Sequence, residues 1–138
     1  LMFSLIVLLQ PKWDQQNATE YIVDIQPFLK AAKGHPMVAL VLFVGLLSPI
    51  LTLLTNDTVD IEVNVLILLG VIVFGVGALG VTLVLNLPTY SALMALDAQQ
   101  PSDDWQNLRR RFYHLNLMRC LSSTSAFVLL IAAAAVQL

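Results

Sequence analysis

Three apolar stretches, each close to twenty residues long, constrain this chain more than any other feature. They cover residues 35–54, 65–85 and 120–138. A helix needs about 20 apolar residues to cross the hydrocarbon core of a bilayer, so each stretch is long enough to span a membrane. The chain is 58% hydrophobic and 12% charged, which leaves too few charges to solvate a soluble domain of this size. We therefore expect the bilayer to be part of its solvent.

A shorter apolar stretch opens the sequence. Residues 1–9 are apolar except for Ser4, but a helix of that length reaches only about half-way across a bilayer. Because the sequence does not begin with Met, we expect this stretch to end a helix that starts earlier. It has neither a basic leader nor a small-residue cleavage motif, which argues against a signal peptide. The sequence thus predicts one transmembrane domain with four spans, at residues 1–10, 35–54, 65–85 and 117–138.

The cationic side chains predict an orientation for these spans. All Lys and Arg residues fall in the connection after the first span or between the third span and the body of the fourth, whereas residues 55–61 contain none. By the positive-inside rule both basic connections are cytoplasmic, stromal or matrix-facing, and both termini lie on the opposite side. The triplet Arg109, Arg110 and Arg111 is expected to meet anionic lipid. A net charge of −2 argues against a nucleic-acid partner.

Helical segments outside the spans are also predicted. Residues 17–33 repeat apolar side chains at helical spacing, begin with an Asn17–Glu20 capping pair, and are expected to lie in the membrane interface. Residues 87–116 form a cytoplasmic segment. No Pro or Gly interrupts residues 105–138, so the last helix should extend into the aqueous phase. The predicted fold is therefore an all-α integral membrane four-helix bundle whose first helix is only partly present.

Small residues in the third span predict close helix packing. Gly70 and Gly77 share one helical face, and Gly80 follows. Glycines in a spanning helix allow another backbone to approach closely. We therefore expect these three residues to lie at a helix–helix contact.

A polar face at the start of the fourth span is the candidate functional site. Offsets of 4, 7, 11 and 14 residues place one set of side chains together on a helix: Trp105, Arg109, Phe112, Asn116 and Arg119. Arg119 lies at the membrane boundary, where an ionisable side chain turns inward to a partner or reaches the surface. We expect it to hydrogen-bond the corner from Asn86 to Pro88, where Pro88 deprives helical carbonyls of donors.

Recognisable soluble-enzyme and metal motifs are missing from the sequence. There are two histidines, His35 and His114, one cysteine, Cys120, and no Asp or Glu within any span. A Cys-based zinc site and an intramolecular disulfide are excluded by the single cysteine. We expect neither a metal nor a cofactor.

The last connection and the fourth span resemble a known family. The matching positions are Asn86-Leu87-Pro88, Leu93, Leu96, Trp105, Leu108-Arg109-Arg110-Arg111-Phe112, Asn116, Arg119 and Ala126-Phe127. This pattern is similar to the C-terminal half of the anthrone oxygenase-like family, small four-span membrane proteins of mostly unknown function. Two positions depart from it, since the family usually has Trp at Phe112 and often a polar residue at Tyr90. The first half of the chain agrees only in the layout of its spans.

Two functions remain open at this point. The first is a non-catalytic subunit or scaffold of a larger membrane complex, favoured by the lack of acid–base groups within the spans and by the small-residue packing faces. The resemblance implies the second, a cofactor-independent oxygenase that acts on a flat, apolar phenolic compound such as an anthrone. The carbanion of such a substrate can react with oxygen without a metal.

The oxygenase alternative assigns roles to the polar residues. His114 is the candidate base, while Arg119, Asn116 and Asn86 would donate to the developing enolate. Trp105 and Phe112 would stack on the substrate rings. His114 and Arg119 point to different faces of the helix at about 100° per residue, which weighs against one site that uses both.

Overall fold

The computed structural model describes residues 5–33, 36–55 and 60–136. It is 88% helical, and the described residues contain no strand, which confirms the all-α class. The helices are α1 (Gln10–Asp14), which continues a π-helical turn at Leu5–Leu9, α2 (Ala18–Lys33), α3 (Pro36–Thr55), α4 (Ile61–Phe74), α5 (Leu87–Met94) and α6 (Trp105–Val136), and a π-helix (Gly75–Asn86) joins α4 to α5. The start of the first predicted span, His35 and most of the turn at residues 55–61, which has no Lys or Arg, lie outside the described residues.

Within the part of the chain that the structure describes, two continuous helices are long and apolar enough to cross a membrane. Ile61–Met94 comprises α4, the π-helix and α5, and Trp105–Val136 is α6. In the most apolar 18-residue stretch of each helix, only 22% and 17% is buried inside the protein, respectively. The core helix of a soluble protein is mostly buried, so the outward apolar faces of these two helices fit a membrane protein. Leu40–Thr55, within α3, is a shorter apolar helix.

α4 and α6 pack side by side in opposite directions. Val63 and Ile67 of α4 form a buried cluster with Ala133 of α6. Further along α4, a Cβ atom at Gly70 would lie 3.2 Å from the side chain of Leu130. The contact partners on α6 therefore move toward its N-terminus as α4 proceeds, so the two helices are antiparallel. α3 packs on α4, and the Leu5–Leu9 turn contacts α6.

Gly77 marks a very close approach between the π-helix and α6. A Cβ atom there would overlap both Oγ and Cβ of Ser122. At Gly80 a Cβ atom would meet only the carbonyl oxygen of Gly75, at 3.5 Å within the same helical segment. The lack of a side chain at Gly77 therefore permits the contact between the two helices. At Gly80, no atom of another described helix lies within 4 Å of the Cβ position.

The helix of the third predicted span continues past residue 85, where the sequence predicts its end. α5 follows the π-helix directly and extends to Met94. Pro88 lies just after the π-helix passes into α5, and its fixed φ suits the helical backbone that continues through it. Pro88 therefore does not open a corner in the chain.

α2 begins with the predicted capping box. The backbone N–H of Glu20 donates to Oδ1 of Asn17 at 3.0 Å, and the N–H of Asn17 donates to the Glu20 carboxylate at 3.3 Å. Each side chain thus satisfies a backbone donor that the first helical turn leaves free. The helix then continues through Pro27 to Lys33 without a break.

The apolar face of α2 is covered by the protein itself. Four of its side chains are fully buried: Tyr21, Ile22, Ile25 and Leu29. They belong to a core cluster with residues of α1, α5 and α6. The amide of Gln26 fastens this packing, since its Nε2 donates to the carbonyl oxygen of Leu96 at 2.8 Å, just beyond the end of α5. Hydrophobic periodicity alone could not distinguish this protein contact from a lipid interface.

We expect Gly77→Ala to destabilise the helix pair by about 1–3 kcal/mol, because the added methyl group overpacks against Ser122. Gly75→Ala is the matched control. Its Cβ atom would lie 3.9 Å from Leu46, an ordinary contact, and removing a helical glycine gains up to ~1 kcal/mol. Thermal unfolding in detergent measures both variants. Equal melting temperatures for the two variants would contradict the close approach at Gly77.

Candidate functional site

A small group of polar side chains is buried where the π-helix and α5 meet α6. Asn86, Asn116 and Arg119 are 0%, 2% and 6% exposed. The two helices run antiparallel, and Gly77 lies opposite Ser122. Asn86, nine residues after Gly77, therefore lies at the level of residues 112 and 113 of α6. We call Asn86, Tyr90, Phe112, Asn116 and Arg119 the polar cluster.

Hydrogen bonds and one ring contact link the members of the polar cluster. Nδ2 of Asn86 donates to the hydroxyl of Tyr90 at 3.4 Å. The Tyr90 ring lies 5.7 Å, centroid to centroid, from the ring of Phe112. Nδ2 of Asn116 donates to the carbonyl oxygen of Phe112 at 3.0 Å, and Nη1 of Arg119 donates to Oδ1 of Asn116 at 3.2 Å. The five residues therefore form one continuous set of contacts across the two helices.

Two atoms of the polar cluster are buried without a hydrogen-bond partner. They are the acceptor Oδ1 of Asn86 and the donor Nε of Arg119. Leaving a buried polar group unpaired costs about 1–3 kcal/mol, and more for a charged group. An acceptor atom of a ligand would satisfy Arg119, and a donor atom would satisfy Asn86. The polar cluster is therefore the candidate binding site.

The expected hydrogen bond from Arg119 to the 86–88 corner does not form. Among the described residues the Arg119 side chain donates to Asn116, one turn earlier on its own helix. Pro88 is exposed and the helix continues through it, so the chain makes no corner there. Arg119 is nevertheless buried, and its side chain does not extend to the surface.

His114 lies away from the polar cluster. It is exposed, and its Nδ1 is 2.7 Å from the carbonyl oxygen of Arg110. Phe112 and Asn116, two residues before and after it in the sequence, are buried. α6 thus presents His114 outward and Arg119 inward, and the structure does not bring the two side chains together.

A second group of aromatic residues closes the same end of the bundle. The Trp13 ring lies within 6.2 Å, between centroids, of Tyr21, Phe28 and Phe112, and the Tyr21 ring lies 6.0 Å from Trp105. We call these five residues the aromatic cap. Phe112 belongs to both groups, so the cap rests directly on the polar cluster. Trp105 packs within the cap, against Tyr21 and Arg109.

Arg109 holds the aromatic cap together. Its guanidinium lies 4.9 Å from the Trp105 ring centroid and 5.8 Å from that of Tyr21, distances at which cation–π attraction operates. Nη1 donates to the carbonyl oxygen of Trp13 at 3.0 Å, and Nε lies 3.9 Å from the Asp14 carboxylate. Burial raises the pKa of the Tyr21 hydroxyl well above its usual range, against the lowering effect of the Arg109 charge.

The three arginines of the predicted lipid-facing triplet therefore differ. Arg110 and Arg111 are exposed, whereas only 17% of the Arg109 side chain is exposed. Successive helical residues point about 100° apart, so one helix cannot present all three to the same surface. Arg109 turns to the cap, and the other two remain available to lipid or water.

The described residues contain no group of three or more His, Cys, Asp or Glu side chains able to hold a metal ion. The polar cluster itself consists of two amides, a phenol, a guanidinium and a phenyl ring. Its chemistry is to donate and accept hydrogen bonds in an apolar surrounding, where such bonds are stronger than in water.

Comparison with known proteins gives one result. A family model described as anthrone oxygenase matches residues 28–129, most of the chain and the whole polar cluster. The chain belongs to the anthrone oxygenase family. This confirms the resemblance found at Asn86, Asn116 and Arg119. No curated protein and no solved structure shows a significant match.

Two features of this family member were missed by the sequence analysis. Tyr90 pairs with Asn86, and the spacing of four residues is one that brings helical side chains together, so a signal was present. The carbonyl of Trp13 and the carboxylate of Asp14 bind Arg109 across 96 and 95 positions of sequence, and nothing in a single sequence marks such a contact. Only the folded chain identifies Arg109 as a structural residue.

We expect Asn116→Ala to destabilise the protein by about 2–4 kcal/mol, because it leaves the buried Arg119 charge without its acceptor. Asn107→Ala is the control on the same helix, since Asn107 is exposed and should cost at most about 0.5 kcal/mol. Adding Arg119→Met to Asn116→Ala should recover part of the loss. Chemical unfolding in detergent measures all three variants. If the Asn116 and Asn107 variants were equally stable, Asn116 would not support the buried charge.

Proposed function

We propose that the protein is a membrane oxygenase for a flat, apolar phenolic ketone of the anthrone type. One observation carries this proposal, namely the pair of buried, unpaired atoms Nε of Arg119 and Oδ1 of Asn86. One donates and the other accepts, so together they suit a ligand that has a carbonyl oxygen and a hydroxyl group. Membership of the anthrone oxygenase family supplies the substrate class.

The chemistry depends on the carbonyl oxygen of the substrate. An anthrone has a CH2 group between two aromatic rings, in conjugation with the opposite carbonyl. Loss of a proton from that CH2 places negative charge on the carbonyl oxygen, as an enolate. A guanidinium N–H donating to this oxygen binds the enolate more strongly than the ketone. Arg119 would thereby make the C–H bond more acidic.

Oxygen then reacts with the carbanion form. Addition of O2 at the former CH2 carbon gives a hydroperoxide, and loss of water from it gives a second carbonyl. The net change converts CH2 into C=O, consumes one O2 and releases one water. Asn86 would accept a hydrogen bond from a substrate hydroxyl and so fix the orientation of the rings. His114 has no role in this proposal because its side chain faces outward. The base that removes the first proton would be a water molecule or a hydroxide ion that enters with the substrate.

We expect Arg119→Lys to lower kcat/KM for anthrone oxidation at least tenfold. Lys keeps the charge but loses the planar N–H fork and its reach, and a lost charge-assisted hydrogen bond is worth about 1.5–3 kcal/mol. The assay follows O2 uptake and anthraquinone absorbance with purified protein in nanodiscs, after subtraction of spontaneous oxidation in empty nanodiscs.

Arg111→Lys is the matched control, because Arg111 is exposed on the same helix. Its turnover should equal that of the unaltered protein, and thermal unfolding should show that both variants are folded. Oxidation no faster than in empty nanodiscs, or equal turnover by a folded Arg119→Lys variant, would contradict the oxygenase proposal.

We also propose that the basic connections face the cytoplasm, stroma or matrix, as the positive-inside rule implies. The test places single cysteines at Asp60 and at Arg111 in a chain that carries Cys120→Ala. An impermeant thiol reagent added to cells should label the first and spare the second. The reverse pattern would overturn this orientation.

A role as a subunit of a larger membrane complex is the second candidate. The observation in its favour is α3, which packs mainly on α4 and leaves large apolar side chains outward, among them Val41 and Phe43, each 64% exposed. Such a face meets either lipid or another protein. Extraction in a mild detergent separates the two cases, because a subunit would be recovered with stoichiometric partners and an independent enzyme would not.

A further inference from the structure

A cleft opens between α3, α4 and α6, apart from the polar cluster. Its volume is about 190 Å³. The lining includes Gly45 and Pro49 of α3, Phe74 of α4, and Ser123 and Phe127 of α6. Gly45 and Phe127 are exposed, so the cleft opens sideways, toward the surface where lipid would lie. An apolar cavity of roughly 150 Å³ holds a benzene molecule, so this cleft has room for one substituted ring or two fused rings.

The hydroxyl of Ser123 is an unpaired polar group in this apolar cleft. Other hydroxyls on the apolar helices donate to the carbonyl oxygen four residues earlier: Thr52, Thr55, Thr82, Thr89 and Ser91. Oγ of Ser123 is buried and has no hydrogen-bond partner among the described residues. A buried hydroxyl without a partner is unfavourable, so Ser123 is poised to bind an oxygen atom of a molecule in the cleft.

The opposite wall of the cleft contains a residue whose carbonyl lacks its usual helical donor. Pro49 has no N–H to donate to the carbonyl oxygen of Gly45, four residues earlier in α3. Both residues line the cleft, and Gly45 has no side chain to cover its own carbonyl. Membrane helices tolerate a proline when another group satisfies the freed carbonyl. A hydroxyl group in the cleft could accept from Ser123 and donate to Gly45.

We propose that this cleft binds a small aromatic compound with one hydroxyl group, which reaches it from the bilayer. Phe74 and Phe127 provide ring surfaces for an aromatic body, and Ser123 with the Gly45 carbonyl recognises the hydroxyl. A lipid acyl chain would leave both polar groups unpaired. The inference goes beyond the proposed function, because no residue of the cleft belongs to the polar cluster and the binding requires no turnover.

The test compares two probes of nearly equal size, 6-fluoro-2-naphthol and 2-fluoronaphthalene. Saturable 19F line broadening is measured with the unaltered protein in nanodiscs, and the signal from empty nanodiscs is subtracted. We expect the naphthol to bind at least fivefold more tightly than the naphthalene, because only the naphthol has a hydroxyl. Equal affinity would contradict recognition by the two polar groups.

Three variants locate the binding. Ser123→Ala should weaken the binding of the naphthol about fivefold and leave the binding of the naphthalene unchanged. Gly45→Leu should abolish binding of both probes by filling the cleft, and its Cβ atom meets only ordinary contacts, 3.5 Å from Phe74. Gly75→Leu is the control outside the cleft and should bind like the unaltered protein. The proposal would be overturned if the Gly45→Leu variant still bound the naphthol, or if the Ser123→Ala variant bound it as tightly as the unaltered protein does.

Discussion

A guanidinium group enclosed by an apolar helix pair governs the arrangement of this end of the molecule. Removing a charge from water costs several kcal/mol unless hydrogen bonds replace its hydration. Among the described residues Arg119 donates to the Asn116 amide and retains an unpaired buried Nε. An amide dipole supports the charge without neutralising it, so Nε can donate to an incoming oxygen atom.

The aromatic cap explains how the polar cluster stays enclosed at the basic end. α2 lays its apolar face on α5 and α6, and Gln26 fastens it to the end of α5. Arg109 binds α1 and α2 to α6 by ring stacking and by its bond to the Trp13 carbonyl. The Phe112 ring contacts Trp13 of the cap on one side and Tyr90 of the polar cluster on the other. The two arginines thus have separate tasks: Arg109 closes the end of the bundle, and Arg119 faces its interior.

Much of the fold was predictable from local patterns. The apolar stretches gave the helix positions, Asn17 and Glu20 gave the start of α2, and the lack of Pro and Gly gave the length of α6. The rest depended on patterns that have two physical outcomes. The apolar face of α2 suited lipid and protein equally, Pro88 could end a helix or lie within one, and Arg109 could not be distinguished from Arg110 without its distant partners.

Only part of the arrangement at the candidate site was predictable. Asn86, Phe112, Asn116 and Arg119 are brought into one set of contacts, whereas Pro88 is exposed and Trp105 packs in the aromatic cap. The hydrogen bond of Arg119 goes to Asn116, and Tyr90 takes part. These details depend on the register of two antiparallel helices, which Gly77 and Ser122 set by contact. A single sequence does not contain that register.

The central claim is that Nε of Arg119 binds the oxygen of a flat ketone. The direct measurement is the 1H–15N resonance of that Nε–H group in labelled protein in nanodiscs, assigned by its loss in Arg119→Lys. Anthraquinone has the ring shape and carbonyl of the proposed product, and anthracene has the shape alone. We expect anthraquinone to shift the Arg119 resonance saturably and anthracene to leave it unchanged. An Arg119 resonance that anthraquinone does not move, or that both compounds move equally, would contradict the account.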